Sequence, residues 1–436
     1  MIVLDAVPYD SVLGLAGAKA EAELLTGLEG PVPLVSTFPS STSIALTAIL
    51  SRFGLDDPPG YEAKFYDRGR DEIRGGGLIS YGNIRFDWHH FFDWQLRGFF
   101  SKSKVYAWPL KFNVRELRKA LDAFVASRRR SFFVYVNSTD ATGHLRGPDA
   151  FGTTFEALDR LIPRVRDRIE EPLYVVVLSD HGLGGDGEVL RNARPEVFRT
   201  VRRAGWTIRG HLDEPGSVVL TPFGLVSSFE VYTRPGDEAA VAAAVVEAPG
   251  VDLCTYPTAD GWAVLDRDGS ATIERRLEGG ATTWTYRPES GDPLGYRSLA
   301  EASAAEAGAA EPSAAEAGIA WPAEAWLENT WDATYPDAPL RIAAGFEWVQ
   351  NPASILCSVA EGYLYGSKSA YIGARLSTGR IRWTHGALER DATLGFLMTD
   401  FPGWRADGPR RFDAALDFLV DSGFDRRTGT DATETE

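Results

Sequence analysis

The sequence predicts an α/β fold, a doubly wound and mostly parallel sheet carrying an aromatic-rich insertion and a smaller α+β cap insertion. Three observations predict it. Strand-like and helix-like segments alternate from the N-terminus to about residue 210, as successive βαβ units do. The run Leu173-Tyr174-Val175-Val176-Val177-Leu178 is apolar, β-branched and unbroken, which marks a strand covered on both faces. It ends on Ser179-Asp180-His181-Gly182, at the carboxyl end of a strand, where sheets of this kind bind ligands.

The elements follow in order. Ile2 to Val7 reads as the first strand, and Pro33 to Thr37 as the second. The second runs into Phe38-Pro39-Ser40-Ser41-Thr42 and then an apolar-periodic helix over Ser43 to Phe53. A Ser/Thr cluster before such a helix is an N-cap signal. From about Pro58 to Phe112 the rhythm breaks into a Gly-rich turn region and an aromatic block. That block is either a lobe packing its own small core or an aromatic lid able to stack on a flat group. Helix Val114 to Arg128, strand Phe132 to Asn137, helix Phe155 to Glu170, strand Tyr174 to Ser179 and helix Arg194 to Ala204 then complete the first part. From about Val218 short strands dominate, with one Ala/Val-rich helix over Glu238 to Glu247. The repeat Ser-Ala-Ala-Glu-Ala-Gly at Ser303 and again at Ser313 lacks apolar bulk and reads as an exposed helix or linker. After Trp321 the chain is expected to re-enter the main sheet through Ile355 to Val359. The expected domains are thus a core of residues 1–211 and 335–426 with the aromatic insertion at about 58–112, a cap at 212–300, an Ala/Glu-rich linker and return segment at 301–334, and a disordered acidic tail at 427–436.

Bulk properties narrow the function. A chain of 436 residues can bury a large core in more than one domain. Its formal charge of −16 argues against nucleic acid duplexes or anionic membranes as partners, because both need a basic face. Cys254 and Cys357 are the two cysteines, too few for a disulfide framework or a cysteine zinc cluster. Neither lies in the Cys-x-Pro or Cys-x-Ala-x-Arg context that sulfatases convert to formylglycine. The N-terminus begins as a strand, without a signal-peptide pattern, and no stretch reaches bilayer-spanning length. A cytoplasmic protein is expected.

The strand ends carry the chemistry. Asp5 lies at the first, Asp140 and His144 follow the third in one tight loop with Gly143 between them, and Asp180-His181 ends the fourth. His385 sits later, in a turn between Thr384 and Gly386. Three carboxylates and three imidazoles, all but His385 placed just past predicted strands, suit two divalent ions. Asp10, beyond Pro8, reads as a turn or cap residue, and His89, His90, His211 and Arg146 as packing or surface groups.

These residues resemble the alkaline phosphatase superfamily, and within it the type I phosphodiesterase/nucleotide pyrophosphatase branch. The resemblance rests on Val3-Leu4-Asp5-Ala6, Phe38-Pro39-Ser40-Ser41-Thr42, Asp140-x-x-Gly143-His144-x-x-Gly147-Pro148, Ser179-Asp180-His181-Gly182 and Thr384-His385-Gly386. It covers the α/β core at both ends of the chain. By the family pattern, Asp5, Thr42, Asp180 and His181 hold one metal and Asp140, His144 and His385 the other, zinc being favoured by the imidazoles and manganese its rival. The resemblance implies a phosphoester hydrolase, acting on a small-molecule, nucleotide-like ester through a threonine nucleophile and a phosphothreonine intermediate. Thr42 is the expected nucleophile, from its place relative to Leu46-Thr47, with Thr37, Ser40, Ser41 and Ser43 as competitors. A phosphomonoesterase, a phosphonate hydrolase or a mutase-like enzyme would use the same metal cage, whereas a binding protein on a retired phosphatase fold would be expected to lack a ligand, and none is missing.

Overall fold

The computed structural model describes the chain except for residues 19–24, 26, 56–59, 62–63, 76–86, 97–104, 106–107, 128, 222–223, 300–317, 368–380 and 425–436. The Ser-Ala-Ala-Glu-Ala-Gly repeats, the acidic tail and parts of the aromatic block lie outside the described residues.

Among the described residues six strands form the core sheet: β1 (Ile2–Leu4), β2 (Glu29–Val35), β3 (Val134–Val136), β4 (Val176–Ser179), β5 (Leu394–Thr399) and β6 (Arg410–Arg411), in spatial order β6-β2-β5-β4-β1-β3. β1 pairs in parallel with β3 and β4, and β2 with β6, whereas β5 runs antiparallel between β2 and β4. The sheet is therefore mostly parallel, as expected.

Alternation along the strands divides the core in two. Ile2, Leu4, Val134, Val136 and Val177 face one cluster, shared with Leu117, Phe155 and Leu158. Val3, Tyr135, Val176 and Leu178 face the other, shared with Leu46, Ile49, Trp88 and Phe92. Helices thus cover both faces: α1 (Tyr9–Ala18), α3 (Pro109–Ser127) and α5 (Gly152–Arg166) on the first, and α2 (Thr42–Ser51) on the second. Burying a Leu or Val side chain in these layers contributes about 1.5–3 kcal/mol each. Trp88 and Phe92 lie edge-to-face with each other and both pack on Tyr135 of β3. The described part of the aromatic block therefore joins the main core instead of forming a separate small core or a lid. Trp108, at 62% exposure, is its outlier.

A second sheet, of nine strands among the described residues, follows in spatial order Ile319–Pro322, Ala281–Ser290, Ser270–Glu278, Gly261–Leu265, Val251–Pro257, Ile355–Val359, Ser228–Tyr232, Ser217–Leu220 and Thr207–Arg209. All neighbours are antiparallel except the last pair. Ile355–Val359, expected in the core sheet, pairs here with Val251–Pro257 and Ser228–Tyr232. An apolar run of five residues satisfies the centre of either sheet, so its composition could not assign it. The return to the core is made by β5. Among the described residues no helix is long and apolar enough to cross a membrane.

Candidate metal centre

Register places the site. Leu4 lies opposite Val136 of β3 and Ser179 of β4, so the three strands finish at one level. Asp5 follows β1 and Asp180 follows β4, while helix α4 (Ser138–Arg146) starts directly beyond β3. The Asp5 amide donates to Val136 O at 3.2 Å. Ala6 takes a φ of +58°, a conformation that costs an L-residue about 1–2 kcal/mol. That turn lets the Ala6 N–H, with the His181 N–H, donate to Asp180 Oδ1, each at 3.1 Å.

One group of ligand atoms gathers Asp5, Asp180 and His181, all buried. His181 Nε2 lies 3.5 Å from Asp180 Oδ2 and 3.7 Å from Asp5 Oδ1. Thr42, the first residue of α2, puts its Oγ1 3.2 Å from Asp5 Oδ1 and 3.3 Å from His181 Nε2. The second group gathers Asp140, His144 and His385. Asp140 and His144, expected in a loop, are instead in α4, where their i,i+4 spacing puts them on one helical face. His144 Nε2 is 3.0 Å and His385 Nε2 3.7 Å from Asp140 Oδ1. The rings of His181 and His385 stack with centroids 4.1 Å apart, joining the groups.

The histidines share one orientation. His144 Nδ1 meets Trp383 O at 2.7 Å, His181 Nδ1 meets Gly182 O at 3.0 Å, and His385 Nδ1 meets Ser40 O at 3.1 Å. A carbonyl only accepts, so each Nδ1 carries the proton and donates it. In the neutral ring the Nε2 lone pair then faces the carboxylates. Burial lowers His181 to about 4, and burial with the neighbouring His181 and His144 lowers His385 to about 3. Burial would also lower His144, but Asp140 outweighs it and holds His144 above the usual histidine value. Burial, reinforced by Asp180 and Asp140, drives Asp5 well above the usual carboxylate range, and burial pushes Asp180 up to about 6. Among the described residues Asp180 Oδ2 is buried without a hydrogen-bond partner. Lone pairs and carboxylates gathered out of water are costly without positive charge among them. This donor set fits divalent ions, each group offering imidazole and carboxylate ligands of the kind zinc takes.

Two of the four competing hydroxyls have other engagements. Thr37 Oγ1 donates to Pro39 O, and Ser40 Oγ to Ala387 O. Ser41 is the N-cap residue of α2, its hydroxyl buried without a partner, and Ser43 is buried within α2. Asp10 lies in the first turn of α1 and pairs with Arg390. His89 pairs with Gln95 and His211 with Asp213, and His90 and Arg146 are exposed.

Three supporting residues were not read from the sequence. The Tyr135 hydroxyl donates to Asp5 Oδ2, which Asn137 Nδ2 also reaches at 3.3 Å. Glu116 accepts the N–H groups of Asn137 and Ser138 at 3.2 and 3.0 Å, an acidic group placed at the start of α4. A signal for Glu116 existed. Asn113, Glu116, Leu117, Ala120 and Leu121 are the buried positions of α3 at helical spacing, so two polar residues sit on its apolar stripe.

Residues 96–186, which carry Asp140, His144, Asp180 and His181, match the family model of the Metalloenzyme superfamily. No curated protein matches the chain. Among solved structures it is similar to phosphonoacetate hydrolase from Sinorhizobium meliloti 1021 in complex with phosphonoformate, at 12% identity and a TM-score of 0.48, over 97% of this chain and 95% of that one. The same enzyme in complex with phosphonoacetate gives 12% identity and a TM-score of 0.46 over the same shares. The span that matches the Metalloenzyme superfamily model thus supplies a carboxylate and an imidazole to each of the two ligand groups, Asp180 and His181 to one and Asp140 and His144 to the other.

Proposed function

We propose that this protein is a two-metal phosphoester hydrolase of the phosphodiesterase/nucleotide pyrophosphatase kind, with Thr42 as nucleophile and a phosphothreonine intermediate. The observation that carries the reading is the place of the Thr42 hydroxyl. It stands at the N-terminus of α2 against Asp5 and His181, and the second ligand group adjoins through the His181–His385 stack. Ions held by Asp5, Thr42, Asp180 and His181, and by Asp140, His144 and His385, would supply Lewis acidity, favouring the ionised hydroxyl and offsetting charge on the phosphoryl oxygens.

The chain's own groups do the rest. Asp5 Oδ1 is placed to accept the Thr42 proton, and Tyr135 and Asn137 hold the other oxygen of that carboxylate. The positive end of α2 favours negative charge on the Thr42 oxygen. Attack on phosphorus forms the Thr42 Oγ1–P bond as the P–O bond to the leaving group breaks, and water then cleaves the phosphothreonine. Imidazole-rich groups favour zinc over manganese as the native ion.

A bis-aryl phosphate tests the reading. Turnover is expected with zinc or manganese present, and acid quench should trap a phosphoryl adduct whose mass maps to the peptide holding Thr42. Thr42→Ala should abolish both. Absence of turnover, or a Thr42→Ala variant indistinguishable from wild type, overturns it. Running a monoester and a phosphonate alongside separates the diesterase from its superfamily alternatives.

A further inference from the structure

We infer that Trp383 is a positioning residue for the ion held by Asp140, His144 and His385, acting as a wedge that locks together three loops carrying metal ligands. The inference rests on the two-ion reading above and adds to it a residue outside the ligand set.

Trp383 is half-buried, sits in the turn that carries His385, and lies beside Gly147 and Gly185 of the other two loops. Its carbonyl accepts the Nδ1 proton of His144 at 2.7 Å, so the peptide of Trp383 sets the tautomer and the rotation of that ring. His385 follows two residues later, and Thr384 is fixed by a two-bond bridge to Gly184, N to O at 2.9 Å and O to N at 2.8 Å. That bridge ties the His385 turn to the loop leaving Asp180-His181.

The indole fills the space between these loops because glycines make room for it. A Cβ on Gly147 would stand 2.5 Å from Trp383 Cζ2, and one on Gly185 would stand 3.1 Å from Cδ1. The first is shorter than carbon–carbon contact allows and the second is tight, and at Gly185 the Arg382 carbonyl oxygen would be nearer still. Gly147 is the C-cap of α4, the helix bearing Asp140 and His144, and takes a φ of +78°. Gly185 follows Asp180-His181 and takes a φ of +139°. The ring therefore lies against the end of one ligand-bearing helix and against the loop of the other ligand group, while its own backbone holds the third ligand's turn. Arg382 adds a hydrogen bond to Gly187 O from the same segment. Loss of the ring would free His144 and His385 to turn away from Asp140, while the Asp5 group, braced by Tyr135, Asn137 and Ala6, keeps its supports.

The experiment is cadmium NMR with chelator competition on the full chain, for wild type, Trp383→Phe, Trp383→Ala and Gly147→Ala. Wild type should give two resonances, one per ligand group. Trp383→Ala should shift or lose the one resonance that His385→Ala also removes, with about 10- to 100-fold weaker retention of that ion and the other resonance unmoved. Trp383→Phe, which keeps a ring, should fall between. Gly147→Ala, with the tryptophan intact, should perturb the same resonance, both by crowding the indole and by straining the left-handed turn at the end of α4. Should Trp383→Ala fail to fold, Trp383→Phe and Gly147→Ala carry the test. Two unmoved resonances with wild-type retention in the folded variants would overturn the inference while leaving the two-ion reading intact. Fewer than two bound ions in wild type would overturn both.

Discussion

The imidazoles of His181 and His385 stack at 4.1 Å with their planes 21° apart, although they belong to different ligand groups. Burial presses both toward the neutral form, the neighbouring His144 adds to it at both rings, and His181 adds to it at His385. Neutral rings with Nδ1 engaged have Nε2 free to ligate without first losing a proton.

His385→Ala should therefore reduce bound metal from two ions to one per chain, measured by elemental analysis after gentle purification. The remaining ion should be the one that Asp180→Ala removes. Two ions retained in His385→Ala would exclude His385 as a ligand.

Tyr135→Phe isolates a single supporting hydrogen bond. The phenyl ring keeps its packing on Trp88 and Phe92, with centroids 5.1 and 5.5 Å away, but Asp5 Oδ2 loses its hydroxyl donor. Metal affinity at the Asp5 group should fall about 10- to 100-fold, with the Asp140 group unaffected. Equal weakening at both groups in chelator titrations would mean the hydroxyl acts on the fold as a whole.

Glu230 predicts a pH dependence away from the metal centre. It is buried in the second sheet, accepts a hydrogen bond from Thr221, and burial raises its pKa from 4.5 to about 7. The folded state thus holds the proton more tightly than the unfolded chain. Its contribution is fully present below about 4.5 and is lost as pH rises through about 7. Glu230→Gln removes the titration, so the variant should gain on wild type by on the order of 3 kcal/mol from acid to mildly alkaline pH. Urea unfolding of both proteins at about pH 4.5 and pH 8 measures the gap; a gap that does not change with pH rules out Glu230 as the source.

What the sequence revealed and what it concealed follow from where the information lies. Asp5 and Asp180-His181 were legible because an apolar strand end is a local pattern with a known position in the sheet. The Asp140-His144 pair was found but assigned to a loop, since Ser138, Thr139 and Gly143 are weak helix formers; Glu116, distant in sequence, supplies acceptors for the N–H groups at the helix start. Strand β5 was missed. Its Gly395 looks like an interruption, yet the missing Cβ is what lets the Ser179 backbone approach. Tyr135 and Asn137 looked like ordinary strand residues, because their partner is set by the Leu4–Val136 register and not by their own spacing.

Arg341 gives the last prediction. Its guanidinium is 4% exposed and reaches Pro336 O and Leu388 O through Nη1, at 2.9 and 2.8 Å, and Thr37 O and Thr393 Oγ1 through Nη2, at 3.2 and 2.7 Å. It thereby staples the segment leading to Thr42 to the segment leaving His385. Arg341→Met preserves much of the volume but takes the guanidinium donors from the carbonyls of Pro336, Thr37 and Leu388, of which Leu388 O keeps Thr393 Oγ1; a buried carbonyl left unsatisfied costs about 1–3 kcal/mol. Stability should fall by roughly 3 kcal/mol or more, and turnover of the bis-aryl phosphate should fall in the fraction that remains folded, because the Thr42 approach loses its anchor. Arg199→Met is the control. That arginine pairs with Glu196 on the surface, where exposed pairs contribute about 0–1 kcal/mol, so it should change neither quantity appreciably. Equal losses from the two substitutions, read by urea unfolding and initial rates, would show that Arg341 contributes no more than a surface pair.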